Sequence, residues 1–212
     1  DVTSISLSEG QKLRINFNGA HIVLGANKAA FSFVNTLTVA VASVTSVTET
    51  SYDYSTGAST NTRVSALTAP GHGITSVGKP VRIFSDDVIP NYENTGQFCA
   101  EWFTVGAVTS DTIYAKGVLI ENYATNVKVC QPSNAALSFV GDLTVSSTQT
   151  SGWNTSAINV RGFINPTVEG IWKGVDLNGP FVNFTGCYMY EIAGKIILES
   201  LKNSTADGAF GY

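Results

Sequence analysis

Two pairs of acidic residues carry the spacing on which bond-breaking chemistry could rest. Glu169 and Glu191 stand 22 residues apart, and Asp176 and Glu199 stand 23 apart. If the chain is wound in coils of about that length, outward side chains one coil apart become neighbours, roughly 5 Å from each other. Carboxyl groups at that separation suit retaining glycoside hydrolysis, and the wider spacing of an inverting pair is reached across two coils or between subunits. Mutual repulsion within a pair raises one pKa, as a general acid requires. The same four residues also read as solvated turn positions in a chain with 16 acids to place. Around them lie the groups that hold sugars. Trp153, Trp172, Tyr188 and Tyr190 offer flat ring faces, and Asn159, Asn183 and Arg161 offer hydrogen bonds. Tyr188 and Tyr190 are two apart and share one strand face, with Cys187 and Met189 on the other. The tryptophans equally suit a second role, capping the core or packing against another subunit.

A recurring five-residue phrase indicates what would position these groups. It reads Ile15-Asn16-Phe17-Asn18-Gly19, Phe31-Ser32-Phe33-Val34-Asn35, Leu137-Ser138-Phe139-Val140-Gly141, Ile158-Asn159-Val160-Arg161-Gly162 and Val182-Asn183-Phe184-Thr185-Gly186. Two apolar residues flank an Asn or Ser, the period of a short strand with one buried face, and a turn follows. Strands too small to bury their own apolar face, recurring at a rough period, imply stacking. The starts step by 16, 106, 21 and 24 residues. Steps near 20 fit coils of a parallel β-helix, and the step of 106 fits an insertion. The copies flanking it are the most alike, Ala29-Ala30-Phe31-Ser32-Phe33-Val34 and Ala135-Ala136-Leu137-Ser138-Phe139-Val140, followed by Leu37-Thr38-Val39 and Leu143-Thr144-Val145. They are expected to be neighbouring coils.

The expected organisation is therefore all-β: first coils over 1–40, an inserted β module over 41–130, and continuing coils over 131–212 that read as truncated. Within the first coils Leu13, Ile15, Phe17, Ile22 and Leu24 should face inward. The insertion opens with a Ser/Thr/Tyr-rich segment, Ser43 to Asn61, that has no core pattern and suggests a hairpin or an extended arm. Five strands follow, Thr62 to Leu67, Pro80 to Phe84, Phe98 to Val108, Thr112 to Ala115 and Asn126 to Val129, which suggest a small barrel or sandwich. No sustained helical period appears.

Only 13% of residues are charged, and Ser, Thr, Asn, Gly and Val take their place. A formal charge of −4 with 12 dispersed basic residues argues against nucleic acid and against an anionic membrane surface. No apolar run approaches the length of a membrane span. The three cysteines, Cys99, Cys130 and Cys187, lack metal spacing and read as buried fillers, with a Cys99–Cys130 pair inside the insertion as the alternative. His72, between two glycines, reads as a turn residue, and His21 as a strand residue at the core edge or facing a subunit. No Ser-His-Asp order, phosphate loop or metal cluster is seen, so no metal or other cofactor is expected.

The coils resemble the tailspikes and receptor-binding tail proteins of bacteriophages, which share a pectate-lyase-like right-handed parallel β-helix. The segment from Gly10-Gln11-Lys12-Leu13 through Arg14-Ile15-Asn16-Phe17-Asn18-Gly19-Ala20-His21-Ile22 is similar to their opening coil, and residues 156–190 to their middle coils. Gly71-His72-Gly73-Ile74 with Val77-Gly78 and Pro80-Val81-Arg82-Ile83 resembles small β modules of such proteins. The resemblance covers half the chain and implies a homotrimer on the virion, among other phage tail proteins, that binds or cleaves a bacterial surface polysaccharide. It carries no universal catalytic motif. Three readings follow: an adhesin or depolymerase of host glycan; a non-catalytic structural shaft or decorating segment of a trimeric tail protein; and a secreted pectate-lyase-like enzyme, disfavoured by the lack of a calcium-type acid cluster.

Overall fold

The computed structural model describes residues 4–25, 29–53, 62–89, 98–148, 156–175, 177, 181–188, 196–201 and 209–210, the last two ranges as backbone. Every regular element among them is a strand. In chain order these are β1 (Ser4–Leu7), β2 (Lys12–Asn16), β3 (Ala20–Leu24), β4 (Phe31–Asn35), β5 (Leu37–Ser43), β6 (Ser46–Ser51), β7 (Arg63–Thr68), β8 (Pro80–Val88) and β9 (Phe98–Val108). There follow β10 (Thr112–Ala115), β11 (Lys128–Pro132), β12 (Ala136–Val140), β13 (Leu143–Ser147), β14 (Ile158–Arg161), β15 (Thr167–Val175), β16 (Val182–Thr185), β17 (Ile196–Leu201) and β18 (Ala209–Phe210). The chain forms two compact units, residues 1–36 with 133–212, and residues 37–132. The cuts fall after 36 and 132, where the sequence reading places them after 40 and 130.

In the first unit the chain visits three parallel sheets in turn. The first has the order β1-β4-β14-β16-β18. The second joins β2 and β12 to the start of β15, and the third joins β3 and β13 to the rest of β15, which also pairs with β17. Alternation then fills the interior. Phe33, Val160 and Phe184 lie in register in the first sheet, with Phe31, Ile158 and Val182 two residues earlier. Ile15, Phe139 and Val168 lie in register in the second. All nine belong to one core.

Two expectations are corrected here. The recurring phrases do not all stack on one another, because they fall in two sheets: Ile15 and Phe139 in the second, Phe33, Val160 and Phe184 in the first. Phe33 and Phe139 are successive strands of one coil, their rings edge-on with centroids 5.2 Å apart. Leu37-Thr38-Val39 is likewise no counterpart of Leu143-Thr144-Val145. It starts β5, which pairs antiparallel with β11 in the second unit, whereas Leu143 pairs in parallel with Ala20 and Trp172. A period of two says that a strand has a buried face and not which sheet it joins.

The corner between the second and third sheets is tight. Gly141 and Gly170 sit there on adjacent coils with φ of +84° and +138°. A Cβ on Gly170 would lie 2.4 Å from the Gly141 carbonyl oxygen. Asp142 Oδ1 accepts from the Ile171 N–H at 2.8 Å, and Gly19 N–H donates to the Asp142 carbonyl at 2.9 Å, so three coils are tied at one corner.

The second unit is a single antiparallel path, β5-β11-β8-β9-β10-β7-β6. It has seven strands where five were expected: β5 was assigned to a coil, and β6 lies in the Ser/Thr/Tyr-rich segment, where it pairs with β7. Val39, Val47, Leu67, Val81, Ile83, Phe103, Val105, Ile113 and Val129, drawn from all seven strands, meet in one apolar cluster, so the sheet curls around its own core. The segment before β11 is held by Asp87, whose carboxylate accepts from the Ala124 N–H at 2.7 Å and the Thr125 N–H at 2.9 Å. Those two backbone bonds hold its carboxyl well below the usual carboxylate range, against a smaller opposing effect of burial.

Two predictions follow from this architecture. Gly170→Ala should destabilise the first unit by about 2 kcal/mol or more, since it combines a positive φ with a backbone clash. Gly25→Ala, whose Cβ would meet only Thr148 Oγ1 at 3.9 Å, should stay within about 0.5 kcal/mol of the parent; equal melting of both variants would refute the corner. Asp87, with its folded pKa depressed, stabilises fully above the unfolded value of about 3.9 and loses that contribution as pH falls below it. Asp87→Asn should therefore melt below the parent at neutral pH, and the gap should close towards pH 2. A gap that persists at low pH would contradict the assignment.

Candidate functional site

The outer face of the first sheet follows from its inner one. With Ile158 and Val160 buried, Asn159 and Arg161 must face away from the core. Register places Ser4, Ser32, Asn159 and Asn183 in one outward row, and Ser6, Val34, Arg161 and Thr185 in the next. Asn159 Nδ2 donates to the Ser156 carbonyl at 3.0 Å, and the Thr185 hydroxyl donates to Asn183 Oδ1 at 3.0 Å. Arg161 is exposed, and its register partners Val34 and Thr185 carry no charge. The face thus combines amides, short hydroxyls and one cation.

The candidate aromatics divide. Trp172 is corrected: it is fully buried, with its ring edge-on to Phe17 and Phe139 at 5.4 Å from each. Its Nε1–H donates to the Gly141 carbonyl at 3.3 Å, which satisfies the one polar atom that burial would otherwise strand. Glu169 and Trp172 are three residues apart, and on a strand an odd separation sends two side chains to opposite faces. Tyr188 is half-buried at an isolated bridge to Ile164; its N–H donates to the Phe163 carbonyl at 2.8 Å, and its carbonyl accepts from the Asn165 N–H at 2.6 Å. Trp153 and Tyr190 lie outside the described residues.

Among the candidate acids, Glu169 is exposed and stands in register with Val140, which in turn faces Asn16. Glu191 and Asp176 lie outside the described residues. The step from β15 to β17, Gly170 to Ile196, exceeds the 22 residues that separate Glu169 from Glu191. The register partner of Glu199 is Lys173. The described residues therefore bring no two candidate acids together.

A different acidic site, which the sequence reading missed, lies in the second unit. The Glu101 carboxylate accepts from the N–H groups of Ile120 at 3.0 Å and Glu121 at 3.1 Å, and from the Tyr123 hydroxyl at 3.0 Å. Burial, then the Glu101 charge, pushes the Tyr123 hydroxyl far up. Cys99 lies 3.9 Å from Glu121 Oε2, and burial followed by that carboxylate raises its thiol. The group pins a segment, and no motif announces it because its members are some 20 residues apart.

The remaining polar candidates are structural. His72 is buried with both ring nitrogens engaged, Nε2 with the Thr109 carbonyl at 3.0 Å and Nδ1 accepting from the Ile74 N–H at 2.9 Å. His21 is exposed, with Nε2 2.8 Å from Ser146 Oγ. Cys99, Cys130 and Cys187 are buried thiols, none of them in a disulfide. Among the described residues no three His, Cys, Asp or Glu are placed to hold a metal ion.

No family model matches the chain. Among solved structures it is similar to the tailspike protein gp49 from Pseudomonas phage LKA1, with a TM-score of 0.47 and 13% identity over 87% of this chain and 34% of that one. It is also similar to the Gp54 tailspike of Acinetobacter baumannii bacteriophage AP22, solved in complex with A. baumannii capsular saccharide, with a TM-score of 0.44 and 12% identity over 85% of this chain and 31% of that one. The chain spans about a third of the length of either protein.

Proposed function

We propose that this chain is part of a trimeric phage tailspike on the virion, a right-handed parallel β-helix with a β module inserted at 37–132, and that it binds a host cell-surface polysaccharide. The observation that carries the reading is the outward row Ser4, Ser32, Asn159 and Asn183 beside Arg161, a neutral hydrogen-bonding face on a rigid sheet. Sugar hydroxyls need such donors and acceptors in fixed positions, and a parallel sheet repeats them about every 4.8 Å. The similarity of the Gly10–Ile22 segment to tailspike opening coils supports it independently. Trp153, Tyr188 and Tyr190 are proposed to add ring faces, and Glu169 with Glu191 to supply hydrolysis where the glycan is cleaved.

A second reading, a shaft without catalysis, is favoured by the outer face of the third sheet. There Val23, 58% exposed, stands in register with Ser146, and Ser146 with Val175, an outward row with apolar members that suits packing against a sister chain.

Incubation with capsular or O-antigen polysaccharide from the host separates the readings. Binding should weaken about thirtyfold in Asn159→Ala/Asn183→Ala, each lost hydrogen bond costing about 1 kcal/mol, and should change little with salt because the contacts are largely uncharged. New reducing ends that disappear in Glu169→Gln would establish hydrolysis at that residue. Retention without new ends would leave an adhesin, and a trimer by light scattering that retains no host glycan would leave the shaft.

A further inference from the structure

The outer face of the second unit carries a second constellation, distinct in chemistry from the row described above. Val81 and Ile83 of β8 point into the core, so Arg82 and Phe84 face outward. Arg82 is in register with Trp102 of β9 on one side and Cys130 of β11 on the other. Phe84 is in register with Ala100 and with Lys128, which is exposed. The Arg82 guanidinium lies over the Phe84 ring, 5.5 Å from its centroid. Beyond Phe84 the aromatic surface continues with Phe98, 54% exposed.

Among the described residues no ion pair neutralises the cations of this face. The ion pair found among the described residues joins Arg63 to Glu49, elsewhere in the unit. Arg82 Nε is buried and meets no acceptor there. The nearest outward acid on the same strand is Asp86, and its carboxylate already accepts from Asn126 Nδ2 at 2.6 Å. In a molecule of net charge −4, two cations interleaved with three aromatic rings on one sheet face call for an occupant that is flat on one side and anionic.

We propose that this face binds an acidic saccharide, a chain whose sugars bear carboxylates. The guanidinium fork of Arg82 takes the carboxylate, Lys128 adds positive potential, and the rings of Trp102 and Phe84 take the apolar faces of adjoining sugars. Asp86 repels a carboxylate at the far end and so sets the direction of the chain. This inference does not rest on the row of the first unit, and the two differ in a measurable way: binding here depends on salt and there it does not.

Calorimetric titration of the full chain with galacturonate, sialate and hyaluronate oligomers tests it. At least one should bind, weaken as salt is raised, and bind about tenfold more weakly once its carboxylates are methyl-esterified, which removes a charge-assisted pair. Arg82→Gln should reproduce that loss with the melting temperature unchanged, Arg82→Lys should retain part of the affinity, and Lys128→Gln should weaken binding less than Arg82→Gln. Lys12→Gln, at an exposed cation of the first unit, should leave it as in the parent. Equal affinity for acid and ester, binding indifferent to both Arg82→Gln and Lys128→Gln, or no binding of any of the three oligomers would overturn the proposal.

Discussion

The side chain of Asn35 sets where the chain leaves the parallel sheets and where it returns. Its Nδ2 donates to the carbonyls of Ser133 at 2.8 Å and Gly162 at 3.0 Å, and its Oδ1 accepts from the Ser133 hydroxyl. Both residues are buried, at 6% and 1% exposure, so the network is closed and has no water to replace a lost partner. Backbone bonds complete the joint: Thr36 N–H donates to Leu7, and Ser133 N–H donates to Thr36 at 2.8 Å. Three segments distant in sequence are tied within one residue of the exit. With both ends fixed this way, the 37–132 unit can vary in size or sequence without disturbing the coils, because long insertions between fixed ends cost little in loop entropy.

What was legible in the sequence was the alternation, and what was not was the partner. Leu13, Ile15, Phe17, Ile22 and Leu24 pack on the core as their spacing required. Yet Phe33 and Phe139, each set between a Ser and a Val, join different sheets, since a strand's local pattern carries its faces and not its neighbours. The similarity of Leu37-Thr38-Val39 to Leu143-Thr144-Val145 misled for the same reason. The Asn159 and Arg161 face could be read from Ile158 and Val160, whereas the face around Arg82 needs the pairing of β8 with β9 and β11, which no spacing encodes.

The two units present outer faces of different electrostatic character. The first sheet shows amides and hydroxyls with a single guanidinium, suited to hydroxyl recognition with weak salt dependence. The second unit shows rings and cations, suited to a charged chain. Both are side chains standing on sheets whose inner faces are fully packed, so each group is held by the core beneath it rather than by a loop. That separation of core and face lets the outer residues change while the fold is kept.

The central claim is that the coils of residues 1–36 and 133–212 form a complete core without the inserted unit, closed by the Asn35 joint. The most direct measurement is thermal melting, followed by far-ultraviolet circular dichroism, of a chain in which a short glycine link replaces residues 37–132. A β-rich spectrum with one cooperative transition near that of the first unit in the intact protein is the predicted result. A disordered spectrum, or a broad non-cooperative loss of structure, would contradict it.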